Sequence, residues 1–279
     1  MNAKTVSELP RLKPFLKWPG GKYRLIQRIN AELKPGKRLI EPFTGSGAVF
    51  LNTRYDSYLL ADTNPDLIGL YKQLINKDEL FINYCAAFFQ PENNCEEKYY
   101  AFRSEFNSLK QGQKKSALFV YLNRHCYNGL CRYNSRGEFN TPFGRYTKPY
   151  FPEKEMRHFI NAAGKAVFEC ANFDETMQKA RPGDIVYCDP PYAPLTDTAY
   201  FTDYHVGGFN RDDQELLAET AQNLAEKGIQ VVISNHNTRD IVKLYKHAGA
   251  KIRTFEVRRH ISCDINNRGK AKELLAIFS

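Results

Sequence analysis

One stretch decides the fold of this chain, Asp184-Ile185-Val186-Tyr187-Cys188-Asp189-Pro190-Pro191-Tyr192. Its first half is short, largely apolar and β-prone, which predicts a buried strand of a parallel sheet over residues 184–188. The two prolines end that strand, because neither can donate to a ladder and both restrict the backbone. Asp189 is therefore expected at the carboxyl edge of a sheet, where open α/β folds bind ligands.

The four residues after the strand bring three kinds of group together. Pro190 and Pro191 leave rigid carbonyl acceptors with no N–H between them, and Asp189 and Tyr192 add a carboxylate and an aromatic ring. An exocyclic amine could donate two hydrogen bonds to such a group while its own ring stacks on the tyrosine. A proline-rich surface turn, or a Pro-Pro-x-Tyr-like ligand for another protein, would have the same sequence. The tetrapeptide alone leaves these alternatives open.

A glycine loop follows another predicted strand nearer the N-terminus. Residues 38–43 are strand-like, Thr44-Gly45-Ser46-Gly47 forms the loop, and residues 48–51 are predicted to begin a helix. This order is typical of the first half of a nucleotide-binding βαβ unit, in which the helix N-terminus offers free N–H groups. A second strand, residues 57–62, ends at Asp62, which could bind ribose hydroxyls or could instead cap the next helix. Strand, loop and acid together favour an adenosyl-cofactor site.

A turn precedes the glycine loop. Pro19-Gly20-Gly21 forces a tight bend, and residues 23–33 after it are predicted to be helical. Trp18 and Lys22 flank the bend, and they suit a cap over a bound ligand in which the lysine pairs with the ligand's carboxylate. A packed tryptophan and a solvated lysine would be the structural alternative.

The middle of the chain changes character twice. Residues 64–125 are predicted to form several helices, the last over 113–125, and residues 126–152 form a long loop rich in aromatic residues, glycine and proline. Within residues 114–148, seven Lys and Arg face one acid, so this stretch carries a net +6 of the chain's +9. Basic and aromatic residues in alternation suit phosphate neutralisation and base stacking, although a solvated basic loop is the alternative.

The C-terminal half alternates helices and strands. Helices are predicted over 153–164, 174–180, 210–227 and 239–247, and strands over 166–170, 229–234, 251–258 and 271–278. Residues 193–209 form a polar loop that could act as a lid, and 258–262 are a second basic candidate for phosphate contacts. The alternation predicts an α/β fold with a doubly wound, mostly parallel sheet and an antiparallel edge hairpin.

Composition bounds the class of protein. The chain has 279 residues, a formal net charge of +9 and a sequence pI of about 9.1, which weakly favours a polyanionic partner. Seven cysteines without a Cys-x-x-Cys pair indicate reduced thiols in a cytoplasmic protein, and six histidines without ligand spacing predict no metal site. We expect no membrane span and no signal peptide.

These motifs resemble the Dam-type DNA adenine-N6 methyltransferases that act at GATC. The markers are residues 15–22, residues 41–47, the recognition segment (residues 123–134) and Asp189-Pro190-Pro191-Tyr192, in the α-type motif order. The likeness runs from about Pro14 to the C-terminus, although the loop 263–269 departs from the family pattern. It implies a tail (1–13), a catalytic methyltransferase domain (14–63 and 152–279) and an inserted helical recognition domain (64–151).

The resemblance also implies a cofactor and a catalytic group. The cofactor would be S-adenosyl-L-methionine, and the cofactor-binding positions that match the family are Trp18, Lys22, Phe43, Gly45, Gly47, Asp62 and Asp189. Asp189 with Pro190, Pro191 and Tyr192 would be the catalytic group, lying between the cofactor and the target base.

The partner implied by the resemblance is double-stranded DNA containing GATC. Tyr127 would insert into the duplex and Asn128 would contact the base left unpaired by flipping, with Leu130, Arg132 and Pro142 as GATC readers, Lys17 at the outer guanine and Arg145 at a phosphate. Arginine pairs bidentately with guanine O6 and N7, which independently suits Arg132. We expect a cytoplasmic, nucleoid-associated monomer. A cytosine-N4 or RNA adenine methyltransferase, or a catalytically silent DNA-binding protein, would be the rival functions.

Overall fold

Seven strands form one mixed sheet in the computed structural model, which describes residues 11–192, 209–258 and 270–279. The strands are β1 (Arg38–Glu41), β2 (Ser57–Asp62), β3 (Ala166–Cys170), β4 (Asp184–Cys188), β5 (Gln230–His236), β6 (Lys251–Arg258) and β7 (Lys270–Phe278). Their order is β3-β2-β1-β4-β5-β7-β6. The pairs β2/β3, β1/β4 and β4/β5 are parallel, whereas β7 is antiparallel to both β5 and β6. The predicted mostly parallel sheet with an antiparallel edge hairpin is confirmed.

The sheet reverses its winding between β1 and β4. Doubly wound sheets bind ligands at such a reversal, beyond the carboxyl ends of the strands. All five residues of β4 are buried, and Leu39 and Ile40 of β1 are fully buried beside them. Arg38 Nη2 lies 2.5 Å from Asp184 Oδ2 where these two strands begin, so an ion pair fixes their register at the end opposite Asp189.

Eight α-helices occur in the described residues. They are α1 (Ile26–Glu32), α2 (Pro65–Ala86), α3 (Glu96–Ser108), α4 (Gln113–His125), α5 (Glu153–Ala163), α6 (Phe173–Met177), α7 (Arg211–Glu226) and α8 (Arg239–His247). Asn210 caps α7 through a reciprocal pair of bonds with Asp213, at the start of the helix predicted over 210–227. None of these helices is long and apolar enough to cross a membrane.

The helix predicted after the glycine loop is wrong, because residues 48–51 give way to a single 3₁₀ turn, Phe50–Asn52. In an α-helix the carbonyl of Ala48 would accept from the backbone N–H of Asn52. Here the side chain of Asn52 donates to that carbonyl at 2.8 Å and to the carbonyl of Leu12 at 2.9 Å. The predicted helix over 23–33 is also shorter, with a 3₁₀ turn at Lys22–Arg24 before α1.

Cα packing divides the chain into two compact units. The first comprises Thr44–Cys170 with the residues up to Arg28, and it holds β2, β3 and α2–α5. The second comprises Ile29–Phe43 and Ala171–Ser279, and it holds β1, β4–β7 and α6–α8. The inserted helical domain is not confirmed, since α2 packs on β2, β3 and α5 within the first unit. The boundaries at 64 and 151 stay a prediction.

An aromatic cluster forms the core of the first unit. The ring of Phe159 stacks on Tyr71 at 4.6 Å between centroids and meets the edges of Phe15 and Phe50 at 5.2 and 5.7 Å. Phe15 lies in the N-terminal motif and Phe50 follows the glycine loop. Burial of these large rings therefore holds both motifs against α2 and α5.

Helix α2 contains a strained residue. Asp78 has φ 44° and ψ −122°, so the helix is broken there, between Lys77 and Glu79. This backbone region is nearly closed to residues with a Cβ atom and open to glycine.

We therefore expect Asp78→Gly to raise the free energy of unfolding by about 1 kcal/mol, because relief of strain exceeds the added chain entropy. Lys72→Gly, at an exposed and regular position of the same helix, should lower it by roughly 0.7 kcal/mol. Urea unfolding measures both. A loss of stability in Asp78→Gly equal to that in Lys72→Gly would contradict the strain at Asp78.

Candidate functional site

The glycine loop needs its glycines for two separate reasons. Gly45 and Gly47 have φ of +47° and +72°, which residues with a Cβ atom rarely adopt. A Cβ on Gly45 would also lie 2.7 Å from Trp18 Nε1, so the indole packs directly on the loop. Tyr71 donates from its hydroxyl to the Gly45 carbonyl at 2.5 Å. The loop is therefore held between Trp18 and the aromatic core.

Asp62 binds the same loop from the end of β2. Its Oδ2 accepts from the Gly45 N–H and its Oδ1 from the Asn64 N–H, both at 3.0 Å. Burial raises the pKa of Asp62, and these two hydrogen bonds oppose the rise. The cap of α2 is Asn64, whose Oδ1 accepts from the Asp66 and Leu67 N–H groups. The alternative role of Asp62 as a helix cap is therefore excluded.

Lys22 is buried rather than solvated. Only 5% of it is exposed, and Nζ donates to the Gly20 carbonyl at 2.6 Å across the Pro-Gly-Gly turn. The structural alternative of a solvated lysine therefore fails, while its pairing with a ligand carboxylate stays a prediction. Phe43, the remaining aromatic candidate, stacks on Phe173 at 5.6 Å within the second unit.

The Asp-Pro-Pro-Tyr turn is fixed at both ends. Asp189 Oδ1 lies 3.0 Å from the hydroxyl of Ser234 on β5, and Gln214 of α7 donates to the Pro191 carbonyl at 3.2 Å. Pro190 is buried. Because Gln214 already takes the Pro191 carbonyl, the Pro190 carbonyl is the better candidate acceptor for a ligand.

Tyr192 is held by one residue of β5 and one residue of β7. Its hydroxyl donates to Glu273 Oε2 at 3.2 Å, and its ring meets the edge of His236 at 4.7 Å between centroids. Burial raises the pKa of Tyr192 well above the usual value, with Asp189 and Glu273 adding to the rise. The phenol therefore stays protonated, and the residue offers a neutral ring in a set orientation.

The structure adds site residues that the sequence analysis missed: Gln214, Ser234, His236 and Glu273. Ser234 and His236 end a buried strand that pairs in parallel with β4, with Ile233 opposite Cys188. Polar residues at the carboxyl end of a buried strand were the available signal. Their partners could not be predicted, since 45 and 81 residues separate the bonded pairs.

Lys17 is joined to the recognition segment in the first unit. Asn123 accepts from the Lys17 N–H at 2.9 Å and donates to the Lys17 carbonyl at 2.7 Å. A Cβ on Gly129 would lie 2.5 Å from the Lys17 side chain, and Lys17 Nζ lies 4.3 Å from the centre of the Tyr146 ring. Burial and the nearby Arg124 lower the pKa of Lys17.

Tyr127 and Asn128 form an exposed 3₁₀ turn, Tyr127–Gly129. The Tyr127 side chain is 49% exposed, while its N–H donates to the Pro142 carbonyl at 2.8 Å. Asn128 has φ 53°, and its N–H donates to the Tyr146 hydroxyl at 2.9 Å. Backbone bonds thus anchor the turn and leave the two side chains at the surface beside Pro142.

Arg132 is exposed and pre-oriented. Its Nε donates to Asn140 Oδ1 at 2.8 Å and its Nη2 contacts the Asn140 carbonyl at 3.4 Å. Leu130, two residues before it, is half-buried, and its carbonyl accepts from the Thr141 hydroxyl at 2.7 Å. Arg145 has φ 52° and a 3.4 Å contact with Glu96. The predicted DNA-contacting residues other than Lys17 thus lie within residues 127–145, a segment folded back on itself by two isolated bridges, Cys126 with Phe143 and Tyr133 with Phe139.

Some of the Lys and Arg side chains within residues 114–148 are paired with acids or bonded to the backbone. Lys114 pairs with Glu105, Lys115 lies 3.1 Å from the half-buried Asp66, and Arg124 is buried with a bond to the Phe15 carbonyl. The remaining basic residues of the stretch lie exposed: Arg132, Arg136, Arg145 and Lys148. Tyr133 donates to Asp66 Oδ2 at 3.0 Å, which ties the recognition segment to the start of α2.

His125, at the end of α4, is fully buried. Its Nδ1 contacts the Tyr121 carbonyl at 2.8 Å, and its ring stacks on Tyr121 at 3.8 Å between centroids. Burial lowers the pKa of His125 to about 4. Its ring is therefore neutral near pH 7, and it belongs to the packing of the recognition segment.

Within the ranges that the structure describes, no group of three or more His, Cys, Asp or Glu side chains could hold a metal ion. Two predicted sites, and the loop that departs from the family pattern, fall wholly or largely on residues outside those ranges. They are the lid over 193–209, the basic run 258–262 and the loop 263–269.

A doubly wound sheet with a glycine loop, an acid at the end of its second strand and an Asp-Pro-Pro-Tyr turn is typical of α/β enzymes that bind nucleotides. Residues 18–261 match the family model of the D12 class N6 adenine-specific DNA methyltransferases. The DNA adenine methylase of Escherichia coli (strain K12) is 49% identical over 266 residues, 95% of each chain. That of Serratia marcescens is 49% identical over 95% of this chain and 98% of its own. That of Vibrio cholerae (El Tor Inaba N16961) is 46% identical over 97% and 98%.

The chain belongs to the family of D12-class N6 adenine-specific DNA methyltransferases. The matched residues include every predicted site residue except Lys17, which lies one residue before them, and they leave out Glu273, which lies beyond them. The predicted family and the predicted enzyme class are confirmed.

The buried His125 gives a prediction about acid stability. The unfolded chain takes up a proton near pH 6.5, whereas the folded chain does so only near pH 4. Stability is therefore lost as pH falls through this window, by roughly 3 kcal/mol for a shift of this size. His125→Phe keeps the stacking ring and removes the proton site, so its unfolding free energy should depend less on pH.

Urea unfolding between pH 7 and 4.5 measures the difference. His247→Gln, at an exposed position in the last turn of α8, is the matched control and should retain the wild-type pH dependence. A His125→Phe curve parallel to wild type would contradict the assigned burial.

Proposed function

We propose that the enzyme transfers the methyl group of S-adenosylmethionine to N6 of adenine at 5′-GATC-3′ in double-stranded DNA, with the target base turned out of the duplex. The observation that carries the proposal is the Asp189-Pro190-Pro191-Tyr192 turn, held by Ser234 and Gln214 at the end of a buried strand. It occurs in a chain whose family methylates adenine N6 in DNA.

The residues of the first unit fit the adenosyl group. Gly45 and Gly47 let a ligand lie against the backbone, and Asp62 presents a buried carboxylate whose oxygens each retain acceptor capacity. Trp18 packs on the loop, Lys22 is buried in the turn that follows Trp18, and Phe43 immediately precedes the loop in the sequence. When bound, S-adenosylmethionine supplies an electrophilic methyl group on a sulfonium. Asp62 would hold the ribose hydroxyls and Lys22 the carboxylate.

Asp189 and the Pro190 carbonyl would act on the target amine. The amine's lone pair is delocalised into the adenine ring, which makes the nitrogen a poor nucleophile. A carboxylate and a fixed carbonyl, each accepting one N–H, would favour a tetrahedral nitrogen and stabilise the positive charge that develops on it. Both acceptors stand on one rigid turn, so they need little reorganisation when the amine arrives. Pro191 keeps that turn stiff.

Tyr192 would stack on the extruded base. An amine inside a duplex is out of reach, so the adenine must leave the stack before it can react. The contacts of Tyr192 with Glu273 and His236 support this role, because they fix the plane of a neutral ring before any base arrives.

The first unit would bind and open the DNA. Tyr127, exposed on its turn, would insert into the duplex, and Asn128 beside it would contact the base left behind. Lys17 would contact the outer guanine from its place against Gly129, and Leu130, Arg132 and Pro142 would read the remaining bases. The bonds of Arg132 to Asn140 support direct readout, since they orient a guanidinium for a guanine edge.

Arg145 would contact a phosphate. Its left-handed backbone costs a residue with a Cβ atom on the order of 1 kcal/mol, which glycine would avoid. Strain kept at an exposed arginine supports a functional reason for the side chain. All of these contacts come from one chain, so we further propose a monomer that acts on chromosomal DNA in the cytoplasm.

Asp189→Ala should lower the single-turnover rate of methyl transfer by roughly 10²–10³-fold, because one of the two acceptors at the amine is gone. Affinity for GATC duplex should stay within a few-fold of wild type. Rapid-quench transfer of labelled methyl and fluorescence anisotropy measure the two quantities.

Asp212→Ala, on the exposed side of α7, controls for loss of a carboxylate as such and should transfer at the wild-type rate. Wild-type turnover in Asp189→Ala would end the proposed mechanism.

Arg132→Ala should relax specificity at the base that it reads. A lost bidentate contact costs about 1–3 kcal/mol of discrimination. The ratio of kcat/KM at GATC to kcat/KM at a site with that one base changed should therefore fall by roughly 5–150-fold. Arg136 is an exposed arginine in the turn between Tyr133 and Phe139, and Arg136→Ala should leave the ratio unchanged. Equal ratios in the two variants would refute the assignment.

A further inference from the structure

Ser234 lies within hydrogen-bond distance of the Asp189 carboxylate. It lies on β5, one residue beyond the pairing of Ile233 with Cys188, and it is fully buried. Its Oγ is 3.0 Å from Asp189 Oδ1, 2.8 Å from the Tyr187 hydroxyl and 3.3 Å from the Cys188 carbonyl. Three polar groups therefore converge on one hydroxyl in the interior of the second unit.

The direction of these hydrogen bonds follows from counting protons. Burial, reinforced by the charge of Asp189, raises the pKa of Tyr187 well above its usual value, so the phenol keeps its proton. Ser234 has one proton, for which the Asp189 carboxylate, the Cys188 carbonyl and the Tyr192 hydroxyl, which is also hydrogen-bonded to Ser234, compete. The carboxylate is closer than the Cys188 carbonyl and is charged, so it forms the stronger bond. Tyr187 then donates to Ser234, and Ser234 donates to Asp189.

We infer that Ser234 is a positioning residue for Asp189, oriented in turn by Tyr187; the inference rests on the proposed role of Asp189 at the target amine. The carboxylate can rotate about two single bonds, and the prolines that follow it restrain only the backbone. A donor fixed inside β5 selects one orientation of the carboxylate. A hydrogen bond in such a buried place is strong and directional.

Several ionisable groups share this region, and their positions bear on any pH measurement. Tyr187, Cys188 and Tyr192 each have a pKa raised in part by the charge of Asp189, after the larger effect of burial. Glu41 on β1 acts on Tyr187 and Cys188, while Glu273 on β7 and His236 on β5 contact Tyr192. Ser234 differs from all of these because its side chain does not ionise, so its replacement changes no formal charge.

Ser234→Ala should lower kcat by roughly ten- to a hundredfold, as expected for a hydrogen bond to a charged group, with KM for DNA and for S-adenosylmethionine within about twofold of wild type. A hydrogen bond to the charged form lowers a pKa, so its loss raises the pKa of Asp189. The acid limb of the kcat profile should therefore move to higher pH, by about one unit. Ser116→Ala, a buried serine on α4, should change neither quantity. Ser234→Thr, which keeps a hydroxyl, should restore the position of the acid limb.

A double-mutant cycle separates positioning from folding. Tyr187→Phe should lower kcat in the wild-type background and have no further effect in Ser234→Ala, because it acts only through the serine. The double variant also removes the phenol donor that Ser234→Ala leaves unpaired, so it should fold at least as stably as Ser234→Ala alone.

Two results would overturn the inference. One is a Ser234→Ala enzyme with the wild-type kcat and acid limb. The other is an additive cycle, which would show that Tyr187 acts independently of the serine. If Asp189→Ala is inactive in either case, the proposed function stands and only the role of Ser234 fails. If Asp189→Ala is itself active, the proposed function fails first.

Discussion

The proposed methyl transfer requires the Asp189 carboxylate to be held still at the end of a buried strand. Much of the second unit serves that requirement. β4 is buried along its whole length and ends at Cys188. Asp189 therefore lies just beyond the strand, and other elements must fix its side chain. The prolines stiffen the backbone, Ser234 binds the carboxylate and Gln214 binds the Pro191 carbonyl. Gln214 is itself bonded to Asn235 and Tyr245, so a buried amide network extends the restraint into α7, α8 and β5.

The first unit solves a different problem, which is to order long segments that have little secondary structure. Side chains that bond to backbone do most of this: Asn123 holds Lys17, Asp62 holds the glycine loop, and Asn52 holds Leu12. The aromatic cluster around Phe159 supplies the apolar burial beneath them. Backbone bonds leave the side chains of Tyr127 and Asn128, within the recognition segment, at the surface.

Sequence patterns predicted the elements whose causes are local. The strands 57–62 and 184–188 and the helix 113–125 have the predicted bounds, since apolar runs between turn residues define them. Features with distant partners were missed. The helix after Gly47 fails because Asn52 binds Leu12, and Lys115 and Arg124 are taken up by Asp66 and the Phe15 carbonyl. Ser234 and Glu273 gain their importance only from the pairing of β5 and β7 beside β4.

The most direct test of the central claim is methyl transfer from labelled S-adenosylmethionine to two duplexes that differ only in carrying GATC or GTAC, followed by nucleoside analysis. Label is expected as N6-methyladenine in the GATC duplex alone. Label in both duplexes would contradict the assigned sequence, and label on cytosine would contradict the assigned base. No transfer to either, with S-adenosylmethionine still bound, would contradict the catalytic role of Asp189 and favour a silent DNA-binding protein.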